Sequence, residues 1–206
     1  MTNLANKVIA NLYEIEAIQI KPDRSFTWTS GIKSPIYCDN RLTMAYPKVR
    51  KQITQGFVEK LQSYIEEIDV IAGCATAGIP HAAWLADALN MPLAYVRGKA
   101  KAHGKGNQIE GVIKQGDKVV VIEDLISTGG SVLETVKAIE AVGAKVIGVL
   151  AIFSYGLNKS VQAFDSLNIH YQTLADFDLL IKFLQDNHEI TNAEAIDLLE
   201  WRDQLG

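Results

Sequence analysis

Four largely aliphatic runs constrain the fold of this chain more than anything else in it: IDVIAG from residue 68, PLAYV from residue 92, KVVVI from residue 118 and AKVIGVLAIF from residue 144. A strand with one wetted face alternates apolar with polar residues, whereas a strand covered on both faces is apolar along its length. Helical stretches lie between these runs: HAAWLADALN after the first, and a segment from about Gly130 to Val142 that stops at Gly143 after the third. Strand, turn and helix in repetition predict an α/β doubly wound domain whose mainly parallel sheet has helices on both faces. Ligands of such sheets sit beyond the carboxyl ends of the strands, so the loops that follow strands are where chemistry is to be sought.

The flanking segments complete the outline. Residues 3 to 19 place Leu4, Val8, Leu12, Ile15 and Ile18 at helical intervals and predict a helix. FTWTSGIKSPIYCDN, residues 26 to 40, mixes aromatic and β-branched residues with turn formers and predicts a hairpin or bent strand pair. A helix opening at Pro47 is expected to reach about Ile65, with Val49, Ile53, Phe57, Val58 and Leu61 on its buried side. A further strand is expected at 169 to 174, and TNAE at 191 to 194 has capping-box spacing for a last helix in which Leu198, Leu199 and Trp201 pack. At 206 residues the chain suits one domain with an appendage.

Composition excludes several function classes. A net charge of -4 argues against a general nucleic-acid binder, which needs Lys and Arg clustered over a whole face. Lys7, Glu14 and Glu16 interrupt the N-terminal apolar pattern, so no signal peptide is expected, and no run approaches the roughly 20 apolar residues of a membrane span. Cys38 and Cys74 form no CxxC and have no histidine-rich neighbourhood, so neither a disulfide framework nor a zinc site is expected and a reducing cytoplasm is the simple inference.

Three loops follow strands of the expected sheet: CATAGIP at 74 to 80, RGKAKAHGKGNQIEG at 97 to 111 and EDLISTGGS at 123 to 131. The middle one is long for such a connection and reads as a functional lid. In the third, Ser127, Thr128, Gly129, Gly130 and Ser131 stand where a strand turns into a helix, so their amides and hydroxyls can converge on an anion at the positive end of the helix dipole. Neither GxxxxGK[ST] nor GxGxxG is present, and the same cluster could simply cap a helix. Glu123 and Asp124 add a second requirement. Neighbours on a strand point to opposite faces, so the two carboxylates cannot both be hidden in apolar packing; sugar hydroxyls beside a bound phosphate would give them partners. The ligand so described is a sugar phosphate.

Four aliphatics, two acids, two apolar residues and [ST][ST]GG[ST] resemble the phosphoribosyl diphosphate (PRPP) motif of the type I phosphoribosyltransferase family. FTWTSGIKSPIYCDN and RGKAKAHGKGNQIEG resemble the orotate phosphoribosyltransferases of that family, over about residues 10 to 175. The resemblance implies the type I fold, with residues 1–45 forming mainly a small hood, 46–175 the α/β core and 176–206 the C-terminal helices. It implies transfer of ribosyl phosphate from PRPP to orotate, giving orotidine 5'-phosphate and diphosphate in pyrimidine biosynthesis. By the same resemblance, Glu123, Asp124, Leu125, Ile126, Ser127, Thr128, Gly129, Gly130 and Ser131 hold the ribose and 5-phosphate, and Ser127 also contacts orotate. Arg97, Lys101 and His103 grip the pyrophosphate, the CATAGIP turn lends it backbone amides, and Lys101, His103 and Asp124 are the catalytic set. Mg2+ is expected mainly through PRPP, and a homodimer is expected whose Arg97 to Gly111 loop reaches the neighbouring subunit.

Gly98, Ala77 and Thr29 stand where the enterobacterial form of the family has lysines, while Lys99, Lys101 and Lys105 keep the loop basic. FSYGLN lacks an arginine expected near orotate, which leaves Lys33 or the backbone amides of Ser30 to Ser34 as candidates for its carboxylate. His81, in the first turn of a helix, reads as structural and Cys74 as an inert buried thiol. Two other readings compete: transfer to another nucleobase, against which FTWTSGIKSP argues, and a PRPP-sensing regulator. The regulator would need a basic DNA-binding arm, whereas residues 1 to 24 balance Lys7, Lys21 and Arg24 against Glu14, Glu16 and Asp23.

Overall fold

A computed structural model of the chain describes residues 2–27, 33–98 and 108–205. In chain order its elements are α1 (Thr2–Glu14), β1 (Ile18–Ile20), β2 (Phe26–Thr27), β3 (Lys33–Ser34), β4 (Ile36–Cys38), a 3-10 turn (Asn40–Ala45), α2 (Pro47–Leu61) and a second 3-10 turn (Ile65–Glu67). There follow β5 (Val70–Cys74), α3 (Gly78–Leu89), β6 (Leu93–Val96), β7 (Ile109–Glu110), β8 (Lys118–Ile126), α4 (Gly130–Glu140) and β9 (Lys145–Ser154). The chain ends with α5 (Asn158–Ser166), β10 (Tyr171–Asp176), α6 (Phe177–Asp186) and α7 (Asn192–Asp203).

The apolar runs pair as one sheet in the order β10-β9-β8-β5-β6-β7, parallel except for β7. Both faces are covered, and β8 shows it residue by residue. Val120 and Ile122 join a core with Leu12, Phe57, Leu85, Leu180 and Leu198, while Val119 and Val121 join another with Val136 and Phe164. Each such side chain contributes about 1.5–3 kcal/mol by leaving water, which is why these strands tolerate no polar alternation. After β5 the chain builds β6 on one side, then returns to lay β8 on the other side of β5 and continues to β9 and β10. The direction of winding reverses between β5 and β8, and the turns leaving both strands open on that switch point.

Several boundaries differ from the sequence expectation for identifiable reasons. The first helix stops at Glu14, because Glu16 takes a left-handed φ of 57° and the chain re-enters as β1, placing buried Ile18 on a strand. The helix from Pro47 ends at Leu61, and Ile65 belongs to the following 3-10 turn. In the 26 to 40 segment, β2 pairs with β3 as a hairpin, but β4 pairs antiparallel with β1. β8 runs on to Ile126, so Glu123 and Asp124 lie within the strand. The sequence reading left out β7 and α5. Gly143 does close the α4 segment, at φ 82° with its N–H on the Glu140 carbonyl, and Thr191 and Glu194 form the expected reciprocal capping box.

One glycine sets the distance between α3 and the sheet. A Cβ at Gly78 would lie 2.3 Å from the Ile122 carbonyl oxygen and 3.2 Å from the Glu123 Cα, both backbone atoms that cannot swing aside. Gly78→Ala is therefore expected to force α3 off β8 at a cost of about 1–3 kcal/mol. Urea unfolding checks this: the midpoint should fall with the slope unchanged, and an unmoved midpoint would show that the contact does not position the helix.

Candidate active site

The turn from β8 into α4 is the centre of the site. Strand propensity carries the chain to buried Ile126; Ser127, Thr128 and Gly129 then bend it, with Gly129 at φ 81°, and α4 begins at Gly130. Gly129 occupies the N-cap position and no side chain caps the helix. The cluster is therefore not a capping device of the ordinary kind. Its first-turn amides stay open at the positive end of the helix, beside the exposed Thr128, Gly130 and Ser131, which is the arrangement an anion needs.

The two acids go to opposite faces, as strand geometry requires. Glu123, 4% exposed, lies on the α4 side, where Oε2 accepts from Ser131 Oγ at 3.0 Å and Oε1 accepts from the Asp124 N–H at 3.0 Å. Burial, then the charge of Asp124, raises its pKa above the ordinary carboxylate range. Asp124 is half-buried on the other face, near Arg41 and Tyr155; burial raises its pKa, while the hydrogen bond from Glu123 and the Arg41 charge act against that shift. Leu125 is half-buried and Ser127 partly open. The pair thus consists of one concealed acid with polar partners and one half-buried acid near Arg41 and Tyr155.

Around this centre stand the other loops. The CATAGIP turn leaves β5 through a cis Ala75–Thr76 peptide, and the close approach of Gly78 to Ile122 lays it against the base of the acidic pair. Beneath it Cys74 accepts from Thr135 Oγ1 at 3.2 Å, and its thiol is pushed up to about 12 by burial and by Glu123, so it stays protonated. Arg97 begins the long loop at the same edge of the sheet: its N–H bonds Gln108 O at 2.9 Å and its guanidinium lies 3.7 Å from Glu110. Lys101 and His103, with Lys99 and Lys105, lie outside the described residues, as do Thr29 and Ser30.

Of the candidates for the orotate carboxylate, Lys33 is already engaged, its Nζ donating to Thr27 Oγ1 at 2.8 Å across the β2–β3 pair, and of the Ser30 to Ser34 amides, those of residues 30 to 32 lie outside the described residues. The sequence reading passed over Asn40 and Arg41. Asn40 donates to the Asp124 carbonyl at 2.7 Å, and Arg41 forms a two-point ion pair with Asp39 at 2.6 and 2.8 Å. The available signal was DNR, three polar residues directly after strand β4.

An anion-binding helix start beside paired carboxylates, at the switch point of a doubly wound sheet, defines a class of protein that handles sugar phosphates. Residues 45–174 match the family model described as "Phosphoribosyl transferase domain". A Bacillus pumilus orotate phosphoribosyltransferase is 55% identical over 199 residues, 97% of this chain and 94% of that protein. One from Listeria innocua is 52% identical over 200 residues, 97% of this chain and 96% of the relative. Among solved structures, Leishmania donovani UMP synthase matches with a TM-score of 0.79 at 26% identity, over 96% of this chain and 42% of that one. The Aeropyrum pernix orotate phosphoribosyltransferase shares the fold with a TM-score of 0.77 at 24% identity, over 89% and 99% of the two chains. The chain belongs to the phosphoribosyltransferase family, within its orotate phosphoribosyltransferase branch.

The elevated Glu123 pKa has a consequence for stability. A folded-state pKa above the unfolded one contributes stability that is complete below the ordinary carboxylate range and is lost as pH rises through the raised value. Relative to Glu123→Gln, which cannot titrate, the ligand-free wild type should lose stability as pH rises through that window. Urea unfolding of both proteins across the window reads this directly, and curves that stay parallel would mean that Glu123 is ionised in the fold at little cost.

Proposed function

We infer that this chain transfers ribosyl phosphate from PRPP to orotate, forming orotidine 5'-phosphate and diphosphate in pyrimidine biosynthesis. The observation that carries the reading is the uncapped first turn of α4, open to a phosphate within one strand-to-helix turn of the Asp124 carboxylate. The 52% and 55% identical relatives, matched along nearly their whole length, are orotate phosphoribosyltransferases by name and supply the acceptor.

In this reading the 5-phosphate sits on the amides and hydroxyls of Ser127 to Ser131, with Leu125 and Ile126 shaping the turn. Asp124, half-buried on the face opposite Glu123, takes ribose hydroxyls. Glu123 joins it when the Ser131 hydroxyl turns from the carboxylate to the phosphate. Arg97, Lys101, His103 and the amides of the CATAGIP turn hold the pyrophosphate, and Ser127 also meets orotate. The C1–O bond breaks with its electron pair leaving on the pyrophosphate, and the orotate ring nitrogen forms the new bond to C1 as its N–H proton is released to the departing diphosphate. Cations on the leaving group and a carboxylate beneath the developing positive ribose both favour the transition state over the ground state. A closed loop keeps water from competing for C1.

Mg2+ fits this site as a PRPP-borne ion. Among the described residues no group of three or more His, Cys, Asp or Glu could hold a metal, while Asp124 offers the one or two hard oxygens that Mg2+ takes from protein when phosphates and water supply the rest. When bound, it would neutralise charge on the diphosphate. We also propose a homodimer that shares the 97 to 111 loop. A cytoplasmic location is supported by two free cysteines, and no helix among the described residues is long and apolar enough to cross a membrane.

The decisive assay is spectrophotometric: orotate absorbance should fall on adding PRPP and Mg2+, and uracil, adenine or xanthine should not replace orotate. No orotate turnover would sink the proposal. Lys101→Ala is expected to lower kcat about 100-fold or more with the fold intact, as for loss of a cation on a leaving group. Mixed dimers of Lys101→Ala with Asp124→Ala should recover activity, since one of the two shared sites is then intact. Verified mixed dimers without recovery would rule out loop sharing.

A further inference from the structure

The backbone of Asp124 is held in an unusual way for a residue inside a strand. β8 pairs with β5 only as far as Ile122, opposite Gly73, and β5 ends at Cys74, so among the described residues no strand lies beside that edge of β8 at Asp124. Side chains take over. The Asp124 N–H bonds Glu123 Oε1 at 3.0 Å, and the Asp124 carbonyl accepts from Asn40 Nδ2 at 2.7 Å, a contact spanning 84 positions of sequence. The Asn40 amide stands where the sheet would otherwise have supplied a neighbouring N–H.

Asn40 is itself supported. It is fully buried, and its own carbonyl accepts from Thr43 Oγ1 at 2.6 Å; Thr43 is buried too. The hydroxyl has one proton and gives it to Asn40, so in the 3.3 Å contact between Thr43 Oγ1 and His81 Nε2 the histidine is the donor. His81 Nδ1 then carries the lone pair, and burial lowers the imidazole to about 4, which keeps it neutral. His81 Nδ1 and Asn40 Oδ1 are both buried with no hydrogen-bond partner among the described residues. Each such atom costs about 1–3 kcal/mol, which an apolar side chain in the same space would avoid. A demand for stability alone does not select these residues; a demand for a hydrogen bond at one place does.

We propose that Asn40 is a positioning residue for the transferase site: through the Asp124 main-chain carbonyl, and backed by Thr43 and His81, it aims the Asp124 carboxylate at the ribose of PRPP. The proposal rests on the functional reading above. Asn40 does not touch substrate, and its effect on the reaction passes through Asp124.

A double-mutant cycle tests this, read in kcat and, by calorimetry, in the PRPP dissociation constant. In the wild-type background Asn40→Ala should lower kcat about 10- to 100-fold, the scale expected when a reacting group is displaced by an ångström or less. In an Asp124→Ala background the same substitution should change either quantity by no more than about twofold, because the group it aims is gone. An equal loss in both backgrounds, as general destabilisation would give, overturns the proposal, and so does an unchanged wild-type rate. If Asn40→Ala does not fold, Thr43→Val takes its place in the same cycle, with a smaller loss of the same kind expected and the same additivity overturning it. A wild type that binds PRPP without consuming orotate would defeat the functional reading while leaving the cycle readable in binding; one that binds no PRPP defeats both.

Discussion

Strand β8 continues through residues 123 to 126 after its pairing with β5 has stopped at Ile122, while its pairing with β9 runs on to Ile126. That overhang underlies the rest of the site. A parallel sheet buried on both faces has no room for carboxylates along its length, and only where one neighbour has ended can a strand carry acids that reach anything other than apolar packing. Glu123 turns inward to Ser131 there, and Asp124 keeps partial exposure on the other face. The Gly78 contact places the end of β5, its turn and the start of α3 directly beside that edge.

The electrostatics follow from the same geometry. Two acids on adjacent residues would repel in a dry interior: burial raises the pKa of both, and the Asp124 charge raises Glu123 further, while the hydrogen bond from Glu123 opposes the shift at Asp124. The uncapped first turn of α4 supplies positive potential beside the acids, and the Arg41 charge, largely met by Asp39, lowers the Asp124 pKa only slightly, so the site suits a species with a phosphate at that turn and hydroxyls beside it. A phosphoribosyl donor has that form.

The layout of the N-terminal segment shows how far local pattern can be read. The alternation in FTWTSGIKSPIYCDN announced strands, and β2 with β3 form the hairpin it predicts, yet β4 pairs with β1, which the helical spacing of Ile15 and Ile18 had assigned to α1. Spacing cannot distinguish a helix end from a strand start when a left-handed residue such as Glu16 intervenes, because that conformation is settled by what the following chain packs on. The turn proposed to bind PRPP was legible for the opposite reason. Its residue types are required by the ligand and lie together in sequence, so neither packing nor partner choice was needed to read them.

By itself the sequence determined the doubly wound sheet and the meeting of an acidic pair with a small-residue turn at a helix start, since each depends on residues adjacent in the chain and on the periodicity of a single element. Tertiary structure alone decided which acid is concealed and which is partly exposed, and it alone brought Asn40 to Asp124 with Thr43 and His81 behind it. Those facts depend on where β5 stops relative to β8 and on how the Asn40–Ala45 turn docks over the strand ends. Hydrogen bonds across 84 positions leave no periodic trace, because any polar residue at position 40 would look the same in sequence until the fold gives it a carbonyl to meet.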